Sequence, residues 1–225
     1  MAVELLNIDC MELLATLPNK AFDLAIVDPP YGINVGNMAF LTEKKNKKRG
    51  YKKSDLDKNI PTEKYFEELF RVSKNQIIWG IDYFNLNIHC KGRIKWDKGM
   101  PEGVSFKRYE TAYCSLINNE IEIKLLWAGM QQAYRLSAPM LQQGNKRLNE
   151  KRIHPTQKPI LLYSKLLLDY AKKGYKILDT HLGSGSSAIA AYRMGCDFVG
   201  CELDEDYYNA AVKRFKEQTA QLKLL

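Results

Sequence analysis

The chain has 225 residues, 45% hydrophobic and 27% charged, with a formal net charge of +8, which suits one α/β domain with a core and a modest insertion and argues against a disordered or fibrous protein. No apolar run is long enough for a bilayer-spanning helix and the N-terminus lacks a basic-then-apolar leader pattern, so a cytoplasmic protein with no membrane partner is expected. Five cysteines without Cys-x-x-Cys spacing and three scattered histidines argue against a disulfide framework and against a metal site, while the positive charge favours a polyanionic partner.

Glu4 to Ile8 reads as a short strand. Met11 to Leu17 reads as a short helix with Leu13, Leu14 and Leu17 on one side, ended by Pro18-Asn19-Lys20. Phe22 to Val27 is mostly apolar and reads as a buried parallel strand. It delivers Asp28-Pro29-Pro30-Tyr31 to its carboxyl end, where open α/β sheets bind ligands. A basic loop at about 34–60 has no convincing period and carries Lys44, Lys45, Lys47, Lys48, Arg49, Lys52 and Lys53; such a cluster is either a solvated surface or a nucleic-acid contact. Pro61-Thr62-Glu63 opens a helix with Tyr65, Phe66, Leu69, Phe70 and Val72 on its apolar face. Gln76 to Trp79 is a buried strand ended by Gly80, with a short helix over Tyr83 to Leu86 beyond it. Arg93 to Trp96 is another strand. Thr111–Leu116 and Ile121–Trp127 read as a strand pair joined by Asn118-Asn119.

A polar segment at about 128–153 holds two Gln-Gln pairs and the basic residues Lys146, Arg147, Lys151 and Arg152, and is a candidate recognition insert. His154-Pro155-Thr156-Gln157-Lys158-Pro159 follows. The spacing then predicts a helix from about Ile160 to Lys172 capped by Gly174, a strand over Tyr175 to Asp179, and a glycine turn over Thr180 to Ser186. A helix over Ala188 to Met194 capped by Gly195, a strand over Asp197 to Glu202 and a last amphipathic helix capped by Asp204 complete the chain. There is no internal repeat.

Two consecutive prolines stiffen the turn after Asp28 and remove two N–H donors, leaving nearby carbonyls free to accept from something else. A carboxylate, free carbonyls and the Tyr31 ring make a site for a flat group bearing an amino function. The unit from Tyr175 to Glu202 is strand, glycine turn, helix, strand. Gly183 and Gly185 permit a tight turn and close approach of a ligand, and Glu202, roughly 20 residues after the turn, fits two ribose hydroxyls. Ala188 replaces the third glycine of a dinucleotide fingerprint, which suits a nucleoside without a pyrophosphate. A structural strand-to-helix turn explains the same residues. Asp9, at another strand end, could receive an adenine amino group or cap the helix after it.

Taken together and in this order, Asn7-Ile8-Asp9-Cys10, Asp28-Pro29-Pro30-Tyr31, His154 to Pro159 and Leu178-Asp179-Thr180-His181-Leu182-Gly183-Ser184-Gly185 resemble an amino-group DNA methyltransferase of the circularly permuted beta group. The likeness covers about residues 4–31 and 154–210. Thr180-His181-Leu182 stands where that family usually has Pro-Phe-Ala or similar.

The resemblance implies a Rossmann-like S-adenosylmethionine-dependent methyltransferase fold. That is a mostly parallel twisted sheet with helices on both faces, here one catalytic domain over residues 1–225. It implies that Asp28 and the Pro29 carbonyl accept from the target amine, that Pro30 stiffens the turn and that Tyr31 stacks on the base. Asp179, Gly183, Gly185 and Glu202 would hold S-adenosylmethionine, with Asp9 near its adenine and Thr156 and Lys158 at its methionine end. DNA would meet the 44–53 cluster and Lys146, Arg147 and Arg152. Asp at position 28 leans toward adenine N6 rather than cytosine N4. A homodimer and a cognate restriction endonuclease are partners the family implies. Competing readings are a cytosine-N4 enzyme, the same fold acting on RNA or a protein glutamine, and a non-catalytic nucleic-acid-binding subunit with a degenerate cofactor site.

Overall fold

The computed structural model describes residues 1–34, 57–86, 91–101, 103 and 107–220. The basic cluster from Lys44 to Lys53 lies outside the described residues. The described residues form an eight-stranded sheet in the order β1-β10-β9-β2-β3-β5-β4-β6. In chain order the strands are β1 (Val3–Asn7), β2 (Phe22–Val27), β3 (Ser73–Trp79), β4 (Arg93–Asp97), β5 (Tyr109–Cys114), β6 (Glu120–Lys124), β9 (Lys176–Asp179) and β10 (Asp197–Glu202), while β7 (Trp127–Ala128) and β8 (Gln131–Gln132) form a small separate ribbon. The first five positions of the sheet are parallel; β5 runs antiparallel to both β3 and β4, and β6 is parallel to β4.

Each face of the sheet carries its own core. On one, Leu13 and Leu14 of α1 (Cys10–Thr16) and Tyr65, Phe66, Leu69 and Val72 of α2 (Glu63–Val72) cover Phe22, Ala25, Val27 and Ile78. On the other, α3 (Ile160–Tyr170), α4 (Ser186–Met194) and α5 (Glu205–Ala220) pack over Leu24, Ile26, Ile77, Trp79 and Ile177. The alternation of β2 between the two cores explains why its sequence is apolar almost throughout: a strand buried on both faces has no polar side. Truncating a fully buried residue such as Leu14 or Leu24 to Ala costs about 2–5 kcal/mol.

Three expectations change. Thr111–Leu116 and Ile121–Trp127 do not pair with each other, because β4 lies between them. Ile94 and Trp96 of β4 are 0% and 1% exposed and need neighbours on both sides. Glu-Ile-Glu-Ile-Lys of β6 alternates charge with apolar residues and suits an edge. Gly92 makes the insertion possible: a Cβ there would lie 2.1 Å from the Cys114 carbonyl and 2.3 Å from that of Ile117. The short helix expected at Tyr83 to Leu86 is a single 3-10 turn, Ile81–Tyr83, begun one residue after Trp79 by Gly80 in the left-handed region. Gly174 does not cap α3, which ends at Tyr170 with Ala171 extended; Gly174, at φ +83, turns the chain toward β9 with its N–H on the Gly195 carbonyl. Gly195 caps α4 and Asp204 caps α5 through its carboxylate as expected. Among the described residues no helix is long and apolar enough to cross a membrane.

Candidate active site at the carboxyl edge of the sheet

From β9 the chain proceeds outward to β10, and from β2 outward the other way to β3. The reversal leaves a cleft beyond the carboxyl ends of β2 and β9, the place where open α/β sheets bind ligands. Ala25 is in register with Leu178, so Asp28 at the tip of β2 and the turn after Asp179 at the tip of β9 stand side by side. Residues far apart in the chain meet here.

On the β2 side, Tyr31 donates its hydroxyl to Asp28 Oδ1 at 2.5 Å and its backbone N–H to Asp57 at 2.7 Å. Its ring stacks on Tyr83, centroids 4.8 Å apart and planes 10° from parallel, and meets Phe84 edge-on. Lys107 sits over the Tyr83 ring and donates to its hydroxyl. The other Asp28 oxygen, Oδ2, pairs with Lys158 at 2.5 Å. Burial raises the Asp28 pKa above the usual carboxylate range, with Lys158 pulling it down and Glu110 pushing it up. Glu110 from β5 receives Lys158 at 3.1 Å and Lys98 at 2.9 Å. Burial works against its charge, but the two ammoniums outweigh it and hold its carboxyl at about 2.

On the β9 side, Asp179 accepts from Ser187 Oγ at 2.6 Å and from the His181 N–H at 3.0 Å. Those two bonds tie the strand to both ends of the glycine turn. Burial nonetheless pushes Asp179 up to about 7. Gly183 (φ +51) and Gly185 (φ +71) are left-handed, and the Gly183 N–H donates to Glu202 Oε2 at 2.8 Å. Glu202 also accepts from the Asp204 N–H, and burial raises its pKa. Asp9 accepts from the Met11 N–H and caps α1, so one of its two possible roles is visible directly. A Cβ on Gly183 would lie 3.8 Å from the His154 ring, which meets Tyr207 edge-on, while Thr156 is exposed and faces His154 Nδ1 at 3.1 Å. Burial lowers both His154 and His181 to about 4, so both rings are neutral near pH 7. His181 packs edge-on against Tyr65, whose hydroxyl bonds Thr180.

The cleft therefore gathers Asp28, Tyr31, Asp179, Gly183, Gly185 and Glu202, with Asp9 at the next strand end. Lys158 lies on the Asp28 side. The chemistry-bearing residues that sequence reasoning missed are Glu110, Lys98 and Tyr83. A charge just before the strand expected from Thr111 carries no mark of its partner, and only β5, which begins at Tyr109 and lies beside β3, brings Glu110 to the cleft. In the insert, Lys146 and Arg147 are exposed on a 3-10 turn. Arg152 instead packs its guanidinium 4.3 Å from the Trp127 ring. The insert is tied to the site: Trp127 Nε1 donates to the Gln157 carbonyl, and Glu150 accepts from the Ile160 N–H and from Arg214.

A family model described as DNA methylase, N6_N4_Mtase, matches residues 78–213, more than half of the chain. The chain belongs to this DNA methylase family. The type II methyltransferase M.HinfI of Haemophilus influenzae is 26% identical over a 256-residue alignment covering 93% of this methylase and 67% of M.HinfI. The fold agrees with that of solved methyltransferases. The M1.HpyAVI–SAM complex superposes with a TM-score of 0.61 at 20% identity, over 94% of this methylase and 99% of that chain. The cytosine-N4-specific PvuII DNA methyltransferase gives 0.57 at 13% identity, over 98% and 91%. The methylase fold is thus Rossmann-like, with the Asp-Pro-Pro-Tyr motif ahead of the glycine turn in the chain.

Proposed function

We propose that this methylase transfers a methyl group from S-adenosylmethionine to the N6 amino group of an adenine flipped out of DNA. The observation that carries the reading is the adjacency of Asp28 and the glycine turn at neighbouring strand tips. The β9 side fits the cofactor. Gly183 and Gly185 leave the turn's backbone open to close approach, Glu202 presents a carboxylate to ribose hydroxyls, and Asp9 and Asp179 supply acceptors at flanking strand ends. Thr156 is the further candidate on this side. When bound, S-adenosylmethionine supplies an electrophilic methyl on a sulfonium.

The protein's part is to make a poor nucleophile reactive. The exocyclic amine of adenine has its lone pair delocalised into the ring. Asp28 and the Pro29 carbonyl, held by the stiff Pro29-Pro30 turn, accept its hydrogens, favour the pyramidal nitrogen and stabilise the positive charge that develops there. Tyr31, braced by Tyr83, offers a ring for the base to stack on. Fixing amine and methyl donor in line supplies much of the rate. Because the amine is out of reach inside a duplex, the base must leave the stack. We further propose one catalytic domain whose insert at 128–153 meets DNA, with Lys146, Arg147 and the 44–53 cluster toward phosphates. A second copy of the chain would extend that grip, and a cognate restriction endonuclease would share its site.

Methylation of cytosine N4 is the second reading, favoured by the likeness to the PvuII enzyme. Asp28 supports adenine, and base-resolved sequencing of DNA treated with the purified protein separates the two by reporting the modified base and atom. Asp28→Ala tests the mechanism: cofactor binding is expected to survive while turnover collapses, and unchanged turnover refutes the role.

A further inference from the structure

The segment leading into α3 sends one charged side chain inward. Only 3% of the Lys158 side chain is exposed. Its Nζ lies 2.5 Å from Asp28 Oδ2, 3.1 Å from Glu110 Oε2 and 3.1 Å from the Tyr31 hydroxyl. The Trp79 ring centroid is 5.2 Å from the same ammonium. Lys98 occupies the other Glu110 oxygen. Two carboxylates and two ammoniums therefore balance in formal charge at the edge of a core, where an unpaired ion is disfavoured.

An ionised carboxylate offers about four lone-pair positions. Tyr31 takes one on Oδ1 and Lys158 one on Oδ2, which leaves room for an amine. We propose that Lys158 is a positioning residue for methyl transfer: its ammonium, shared between Asp28 and Glu110, holds the Asp28 carboxylate charged and rotationally fixed so that its remaining lone pairs meet the incoming amino group. This rests on the amino-methyltransferase reading. It differs from a contact to the methionine end of the cofactor, which the family resemblance implies for Lys158. Glu110 has its own part. It takes up some of the ammonium's charge, so an amine that becomes positive as the methyl arrives faces a carboxylate rather than an unbalanced lysine.

The groups facing Asp28 are Tyr31 on its own loop, Lys158 ahead of α3, Tyr163 on α3, Glu110 on β5 with Lys98 behind it, and Asp179 at the tip of β9. Burial lifts the Asp28 pKa most, Lys158 opposes it, and Glu110 adds to it. Removing the lysine and removing the glutamate must therefore move Asp28 in opposite directions.

The test is a carbon-13 NMR titration of the Asp28 carboxyl in cofactor-free protein, for wild type, Lys158→Met and Glu110→Gln, beside kcat against pH with cofactor and DNA saturating. In Lys158→Met, Asp28 is expected to titrate about 1–3 pH units higher, the range an adjacent opposite charge commands. The acid limb of kcat should follow it, with the cofactor KM changed less than about two-fold. In Glu110→Gln both should move down. An unmoved Asp28 in Lys158→Met, or a raised cofactor KM with an unmoved profile, overturns the proposal. Should Lys158→Met not fold, Glu110→Gln decides, and an upward or absent shift there overturns it. The NMR arm does not need turnover. Shifts as expected with no methyl transfer by wild type refute the activity, and with it the lysine's role in transfer. Active enzyme without the shifts refutes the lysine's role alone.

Discussion

Gly80 and Tyr31 are in backbone-to-ring contact: a Cβ on Gly80 would lie 2.1 Å from Cε1 and 2.5 Å from Cδ1 of Tyr31. The strand that neighbours β2 is thus followed by a residue whose missing side chain makes the space in which the Tyr31 ring lies. Gly80 also sits at φ +71, which an L side chain reaches only with strain of about 1–2 kcal/mol.

Gly80→Ala is therefore expected to displace the Tyr31 ring from the stack with Tyr83 and to disturb the hydroxyl on Asp28. We expect kcat/KM for DNA to fall about ten-fold or more, equivalent to about 1.4 kcal/mol of transition-state stabilisation. Cofactor affinity, measured by isothermal titration calorimetry, should stay near wild type, because the glycine turn lies on the other side of the cleft. A loss of cofactor affinity matching the loss of turnover would contradict this.

Asp179 carries a stability signature of its own. Its folded pKa of about 7 lies above the ordinary 3.8 because burial disfavours the charge. Between those values the folded protein holds a proton that the unfolded chain has released, so stability from this group falls as pH rises from about 4 to about 7. Asp179→Asn removes that slope. The variant should gain about 2–4 kcal/mol relative to wild type on going from pH 4.5 to pH 7.5 in urea denaturation, while binding cofactor less tightly.

What could be read from the sequence follows from how local each signal is. Phe22 to Val27 announced a two-faced strand because every residue but Asp23 is apolar, and Asp28-Pro29-Pro30 could not continue it. The glycine turn was equally plain, since Gly183, Gly185 and Glu202 lie within one strand–helix–strand unit. The pairing of β5 with β6 was misread for a physical reason: Asn118-Asn119 marks a turn but cannot say which strand is slotted between its two arms. The ion pairs of Lys158 are hidden in the same way. The resemblance places this lysine at the methionine end of the cofactor, and nothing local marks the reach of its four-carbon stem to Asp28 and Glu110, which only the folded sheet brings near.

The two cleft histidines act in the opposite sense to Asp179. His154 and His181 are each lowered to about 4 by burial, so the unfolded chain binds protons that the folded protein refuses between about 4 and 6.5. Stability from them is present above 6.5 and lost as pH falls through that window. His181→Phe keeps an aromatic ring against Tyr65 but cannot be protonated. Its stability loss between pH 7 and pH 5 should be about 2 kcal/mol smaller than that of wild type, with the share from His154 remaining. An unchanged pH dependence would show that His181 titrates freely in the folded state.

Arg214 of α5 joins the glycine turn to the insert. Its Nη1 donates to the Ser184 carbonyl at 2.7 Å and to Ser186 Oγ at 2.9 Å, and its Nη2 to Glu150 Oε2 at 2.9 Å. Glu150 in turn accepts from the Ile160 N–H at the start of α3, where Pro159 offers no side-chain cap. Removing one partner of a buried pair leaves the other charge uncompensated, at about 3–5 kcal/mol. Arg214→Met should therefore destabilise the protein by about that amount. It should also loosen the turn, raising the cofactor Kd more than the DNA KM. Glu150→Gln keeps an acceptor for Ile160 and should cost less than Arg214→Met. Combining Arg214→Met with Glu150→Gln should recover part of the loss, because no unpaired charge then remains. Strict additivity in that double-mutant cycle would mean the two side chains act independently, and that the insert and the turn are not coupled through them.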